Sequence, residues 1–101
     1  MTGSEWPFED PEDTQVIILE RILRGESSLR LVTHDEDDGS WQFLDGDHVF
    51  EDDAVIVFLG EIVQFDPSLL SLALLPLGWH AWRDSPAEPW RSLPGETPVA
   101  P

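Results

Sequence analysis

Short apolar runs separated by acidic or glycine-containing turns recur along the chain. Between residues 29 and 34, apolar and polar side chains alternate, which is the period-two pattern of a half-buried strand. The runs 15–19, 41–44, 54–59 and 79–83 are rich in β-branched or aromatic residues and also predict strands. The strands 29–34 and 41–44 flank the acidic loop 35–38, and we expect them to form a hairpin. In the last strand we expect Trp79 and Trp82 to share one face.

Two segments favour short helices. Ile62 and Val63 lie three and four residues after Leu59, which is helical spacing over residues 59–64. Asp66 and Pro67 are good residues for an N-cap and a first helical position, so a second helix is predicted from 67 to 74. Residues 22–23 suit either a short helix or an extension of the first strand.

This order of elements predicts an α+β fold. We expect a small single domain, with a mainly antiparallel sheet and one or two short helices around residues 59–74. The predicted boundaries are a flexible acidic lead-in at 1–13, the α+β domain at 14–91 and a Pro-rich tail at 92–101. Trp6 and Phe8 can dock the lead-in onto the domain. From Asp84 onward, the prolines are expected to prevent regular structure.

The charge balance is extreme for 101 residues. Asp and Glu number 21 against five arginines and no lysine, a formal net charge of −16. Such a chain is a poor ligand for phosphate backbones or anionic membranes, so we expect neither a nucleic-acid nor a membrane partner. The charge favours a basic protein, a polyamine or a divalent metal, and solubility alone is the alternative explanation. A nucleic-acid mimic that occupies a DNA-binding protein is a further alternative.

Several chemistries are excluded or lack a signature. Cysteine is absent, which excludes disulfides, thiolate catalysis and Cys-ligated zinc. No nucleophile elbow, P-loop or dinucleotide fingerprint is present, so we assign no catalytic residue and expect no enzyme. Glu20 and Glu61 lie within apolar segments and are the better candidates for a perturbed carboxyl group, although an exposed helix or strand face is the commoner explanation. The N-terminal stretch lacks the features of a signal peptide, and we expect a cytoplasmic protein.

A metal site is the alternative to a binding module without cofactors. His34, Glu36, Asp38 and Asp45 echo the spacing of a calcium loop, with Gly39 at the sharp turn. Hard cations need several oxygen ligands from one turned loop, so Ca²⁺ or Mg²⁺ would suit these residues. His34, His48 and His80, with nearby carboxylates, could instead form a zinc or iron site. A solvated acidic hairpin loop is the simpler interpretation.

The aromatic residues divide into two groups. Trp41, Phe43 and Trp79 are predicted to pack in the core. Trp82 and Trp90 lie near the Pro-rich tail, and we expect them at the surface as anchors for a partner, because Trp is enriched at binding hot spots.

The strings HDEDDGSWQFLDGD and LGEIVQFDPSLLSLALLPLGWHAWRDSPAEPW carry a resemblance over residues 20–90. They resemble small bacterial proteins of unknown function that have an acidic-Gly-x-Trp-Gln-Phe core. They are also similar to immunity-protein-like domains of polymorphic-toxin systems. The matching positions are Gly39, Trp41, Phe43, Gly46, Asp66, Pro67 and Gly78. The resemblance implies a compact α+β binding domain, carries over no assigned catalytic residues and leaves the function open.

These observations predict a non-enzymatic acidic protein-binding module with a basic protein partner. A toxin-neutralising immunity role is its concrete form, since acidic surfaces steer association with basic proteins. The acidic loops at 35–38, 45–47 and 51–53 would face the partner. The predicted partner-binding residues are Asp35, Glu36, Asp37, Asp38, Asp45, Asp47, Trp82 and Trp90.

Overall fold

The computed structural model describes residues 6–47 and 49–95. Six strands form one sheet, with three short helices and one 3₁₀ turn between them. The elements in chain order are β1 (Gln15–Leu19), α1 (Glu20–Leu23), β2 (Leu31–His34), β3 (Trp41–Leu44), a 3₁₀ turn (Glu51–Asp53), β4 (Ala54–Phe58), α2 (Leu59–Phe65), a 3₁₀ helix (Pro67–Leu72), β5 (Trp79–Trp82) and β6 (Arg91–Pro94). This is the small α+β domain that the pattern predicted.

The strand order in the sheet is β4-β1-β3-β2-β5-β6. Strands β2 and β3 form the predicted hairpin, with Val32 opposite Phe43. β1 pairs with β3 in parallel, and the other four pairings are antiparallel. The sheet is therefore mainly antiparallel, and its one parallel pair joins strands that are distant in sequence.

The helices pack on one face of this sheet. Ile18, Val32 and Phe43 point to that face and are almost completely buried. They share one hydrophobic cluster with Ile62 of α2 and Leu69 of the 3₁₀ helix. Burial of an aliphatic side chain of this kind contributes roughly 1.5–3 kcal/mol, so this cluster is the main source of stability. Phe8 and Trp41 also belong to the cluster, and Phe8 docks the lead-in segment on the domain.

Two local predictions differ from the structure. Trp79 and Trp82 lie on opposite faces, because side chains three residues apart in a strand point in opposite directions. Trp79 packs against the core cluster, whereas Trp82 lies beside His80 on the other face. The segment after Asp66 begins as predicted, with the Asp66 carboxylate accepting a hydrogen bond from the Ser68 N–H, but it forms a 3₁₀ helix rather than an α-helix.

β6 is regular structure in a region where prolines were expected to forbid it. Arg91–Pro94 pairs with β5 at the edge of the sheet. An edge strand tolerates proline because an N–H that would point to solvent is not needed.

No helix in the described part of the chain is long and apolar enough to cross a bilayer.

Candidate functional site: an acidic end and its groove

The directions of the strands divide the charged residues between two ends of the sheet. Leu31 pairs with Leu44 and with Trp82, so these three residues mark one end. His34 pairs with Trp41 and marks the opposite end. We refer to the end at Leu31 as the arginine end and to the end at His34 as the acidic end.

All five arginines of the chain belong to the arginine end. Arg21 and Arg24 follow the last residue of β1, Arg30 precedes β2, Arg83 follows β5 and Arg91 begins β6. Since β1 runs parallel to β3 and antiparallel to β4, the first residue of β1 and the last of β4 lie at the acidic end. All five arginine side chains therefore lie at one end of the sheet.

Carboxylates collect at the acidic end without an arginine. Residues 9–13 lead into β1, and the loop 35–38 joins β2 to β3. Backbone hydrogen bonds from Leu59 to Thr14 and from Gly60 to Glu12 hold the lead-in beside the start of α2, which carries Glu61. The acidic residues are Glu9, Asp10, Glu12, Asp13, Asp35, Glu36, Asp37, Asp38 and Glu61.

At the arginine end, Asp45 is neutralised internally. Arg21 donates to both Asp45 oxygens, at 2.7 Å from Nε and 2.9 Å from Nη2, and its Nη1 donates to Asp53 at 2.6 Å. The Asp45 side chain is only 1% exposed. The hydrogen bonds from Arg21 hold the pKa of Asp45 well below its ordinary value, against the effect of burial. Asp45 is thus an anionic structural group whose charge is already matched.

Arg83 fixes a second structural network at this end. It is buried, and it donates from Nη2 to Asp66 at 2.6 Å and from Nε to the Leu29 carbonyl at 3.0 Å. The Trp90 ring lies 4.2 Å from the guanidinium carbon, and its Nε1–H donates to Ser68. Burial raises the pKa of Asp66, but hydrogen bonds from Ser68 and Arg83 outweigh it and leave that pKa below its ordinary value.

The loop 35–38 at the acidic end is organised by its own backbone. The Asp35 carboxylate accepts from the Asp37 N–H at 2.7 Å, and Asp38 accepts from the Ser40 N–H at 3.0 Å. The hydrogen bond from the Ser40 backbone lowers the pKa of Asp38. Gly39 takes a φ of +73°, which closes the turn. The loop is therefore preformed by its own hydrogen bonds.

Beside this loop lies a cavity of about 400 Å³, which we call the acidic groove. Its lining consists of Glu9, Asp10, His34, Gly39, Trp41 and residues 73–77. Asp10 Oδ2 accepts from the Trp41 indole N–H at 2.8 Å. His34 stacks on Trp41 with ring centroids 3.8 Å apart, and its Nδ1 lies 2.8 Å from the Leu75 carbonyl, which can only accept. The walls are thus held by contacts between four separate segments.

The predicted partner-binding residues do not form one surface. Residues 35–38 lie at the acidic end, whereas Asp45, Asp47 and the turn 51–53 lie at the arginine end. Trp82 and Trp90 are half-buried near that same end. Asp47 is exposed, and its carboxylate lies 3.9 Å from Arg30.

The residues of the metal alternative are also separated. Asp38 and Asp45 flank β3 at its two ends, and the four residues of the strand alone span roughly 10–13 Å at the usual rise. His34 and His80 lie on opposite faces of the sheet, because His80 pairs with Thr33, the neighbour of His34. Within residues 6–47 and 49–95, no three His, Asp or Glu side chains are grouped so that they could hold a metal ion. His48 lies outside the described residues.

The two carboxyl candidates have ordinary local contacts. Glu61 is exposed and accepts from the Phe58 N–H at 2.9 Å, which begins α2. Glu20 lies 3.7 Å from Arg24 in an i,i+4 pair at the surface. Neither position resembles the apolar pocket that acid–base catalysis requires.

Sequence reasoning missed the lead-in residues Glu9 and Asp10 and the apolar wall at Leu74 and Leu77. One signal was available. The run 69–77 has more leucines than a single buried helix face can use, and Leu74 is 84% exposed.

Comparisons of the chain with protein-family models, with curated proteins and with solved structures give no match.

Proposed function

We propose that this chain is a non-enzymatic protein-binding module whose acidic end engages a basic protein partner. The observation that supports the proposal is the segregation of the arginines: nine of the carboxylates share the acidic end, and every arginine lies at the other end beside the remaining described carboxylates. A pole of one sign steers an oppositely charged partner toward it and accelerates association. A merely solubilising charge needs no such separation.

The internal ion pairs support the same choice of surface. Asp45, Asp53 and Asp66 are each within 2.7 Å of an arginine nitrogen, so a partner's cations would compete with existing bonds. No arginine lies at the acidic end, so a partner's cation would not have to displace an arginine there. Its loop 35–38 is ordered by backbone hydrogen bonds, so little conformational entropy is lost on binding.

An immunity role, in which the chain neutralises a basic toxin, is the concrete form of this proposal. It draws on the resemblance of residues 20–90 to immunity-protein-like domains and on the net charge of −16. A cytoplasmic location belongs to the same proposal.

The test compares two variants of equal net charge. The first neutralises Glu12, Asp13, Glu36 and Asp37 as Gln or Asn at the acidic end. The second neutralises Asp47, Asp52, Asp84 and Glu88 at the arginine end, and all eight side chains are exposed. The probe is a deca-arginine peptide, with affinity measured by calorimetry from about 0.05 to about 0.5 M salt.

We expect the acidic-end variant to lose about tenfold or more in affinity and the control to lose about threefold or less. Binding of the parent chain should weaken steeply with salt. Equal losses in the two variants, or affinity insensitive to salt, would contradict a functional acidic end.

A further inference from the structure

We propose that the acidic groove receives one arginine side chain of the partner. The inference rests on the proposed function and names the group that is recognised. An apolar stem ending in a planar cation fits a groove that has leucines on one wall and carboxylates on its rim.

The polar side of the groove is held in place before any ligand arrives. Asp10 is fixed by its hydrogen bond from the Trp41 indole, and that indole is itself 2% exposed and packed under His34. The His34 ring is anchored in turn on the Leu75 carbonyl. A carboxylate positioned by buried groups loses little freedom on binding, which favours affinity.

The charge of this rim has no arginine to balance it within the chain, since all five lie at the opposite end of the sheet. Asp10 uses Oδ2 for Trp41, and Glu9 is exposed beside it. A guanidinium presents several donors in a fixed fork, so it can donate hydrogen bonds to two neighbouring carboxylates at once. The ammonium group of lysine is less suited to this geometry.

The apolar side of the groove needs a cover that is not itself anionic. Leu74 is 84% exposed and Leu77 is 53% exposed, on the segment that forms the wall. The methylene stem of an arginine would cover these surfaces while its head stays at the rim. A second copy of the chain is disfavoured by a net charge of −16, and the described residues offer no group of three ligands for a divalent metal.

The experiment uses the full chain labelled with ¹⁵N and the peptide acetyl-Leu-Arg-Leu-amide. The control peptides replace the arginine by neutral, nearly isosteric citrulline or by lysine. We expect the arginine peptide to shift the amide signals of His34, Leu75 and Leu77 and the indole N–H signal of Trp41. The citrulline peptide should bind about tenfold more weakly than the arginine peptide, and the affinity of the lysine peptide should lie between these two.

Matched variants test each wall. Asp10→Asn keeps an acceptor for the Trp41 indole and removes the charge, so affinity for the arginine peptide should fall about fivefold to tenfold, whereas Glu88→Gln at the arginine end should leave it unchanged. Leu74→Ser should weaken binding about threefold. Leu70→Ser, an exposed leucine outside the groove, should not.

Three results would overturn the assignment: shifts centred on residues 12, 13 and 61 instead of the groove, equal binding of citrulline or lysine, or no shift at millimolar peptide. Salt-dependent deca-arginine binding that survives any of these would leave the proposed function standing without the groove. The opposite outcome combines arginine-specific shifts in the groove with deca-arginine binding that does not change in the acidic-end variant. That outcome would support the groove as an arginine site and contradict the proposed function of the acidic end.

Discussion

Arg21 and Asp45 are 24 residues apart in the chain and form a two-point ion pair, with Nε–Oδ2 at 2.7 Å and Nη2–Oδ1 at 2.9 Å. The pair joins α1 to the turn after β3. It removes the Asp45 carboxylate from the set of groups that a partner could bind, although Asp47 in the same turn is exposed. The same pair makes a direct prediction about stability.

Asp45→Ala should lower the free energy of unfolding by about 2–4 kcal/mol, because it leaves Arg21 without its main partner and removes the acceptor of the Asp47 N–H. Urea denaturation at pH 7 measures the change. Asp47→Ala is the matched control two residues away, and its exposed side chain should cost about 0.5 kcal/mol or less. Similar losses in both variants would show that the ion pair is not stabilising.

The Asp45 contribution should also depend on pH. Its pKa is depressed in the folded state relative to the ordinary value of 3.8, so the unfolded chain binds the proton more readily. The stability that Asp45 supplies is then fully present above about pH 4–5 and is lost as pH falls through the depressed folded-state pKa. We expect the difference in unfolding free energy between the parent and Asp45→Asn to shrink steadily below pH 4. A difference that is constant from pH 6 to pH 2 would contradict this assignment.

Arg83 is predicted to be the most sensitive of the arginines. Arg83→Leu removes the side-chain donor to the Leu29 carbonyl and leaves the Asp66 carboxylate with its hydrogen bonds from Ser68 alone. We expect a loss of about 3 kcal/mol together with a changed near-ultraviolet signal from Trp90. Arg91→Leu on the exposed edge strand is the control and should change stability by about 0.5 kcal/mol or less. Thermal melts and circular dichroism provide both readouts.

Self-repulsion at the acidic end predicts an effect of salt on stability. Monovalent salt should stabilise the parent chain by on the order of 1 kcal/mol, because it screens like charges that no arginine offsets. In the variant that neutralises Glu12, Asp13, Glu36 and Asp37, the salt effect should be smaller than in the arginine-end control variant. Denaturant titrations at two salt concentrations measure it, and an equal salt effect in both would mean that the repulsion is spread over the whole surface.

The metal alternative has its own measurement. Chelator-treated protein is melted alone and with Ca²⁺, Mg²⁺ or Zn²⁺ at matched ionic strength. We expect no shift beyond the salt control. A metal present at about 100 times its dissociation constant would stabilise by roughly 2.7 kcal/mol, and a shift of that size would reinstate His34, Glu36 and Asp38 as ligands.

Several features could be predicted from local sequence because their physical causes are local. The strands at 15–19 and 41–44 follow from β-branched and aromatic side chains in short apolar runs. Asp66 caps the next helical segment because its carboxylate reaches an N–H only two residues away. The deep burial of Trp41 and Phe43 follows from their size and their period-two spacing.

The distinction between Asp38 and Asp45 could not be predicted in this way. Both residues lie in acidic turns beside a glycine, yet one is exposed at the acidic end and the other is buried against Arg21. Their environments depend on which strands pair and in which direction, and above all on the parallel pairing of β1 with β3. That pairing is decided by packing of the whole core between distant segments, and no short window of sequence contains its energy.

The amino-acid sequence by itself therefore determined the fold class, most of the strands and the strongly acidic character of this protein, since propensity, periodicity and net charge are properties of local segments or of simple sums. Only the tertiary structure decided that the arginines gather at one end, that the carboxylates at the other end are left without them, and that Asp10, His34 and Leu74 meet around one groove. The physical reason is that strand direction and packing between distant segments set the position of each charged side chain. Neither can be deduced from the neighbouring residues in the sequence.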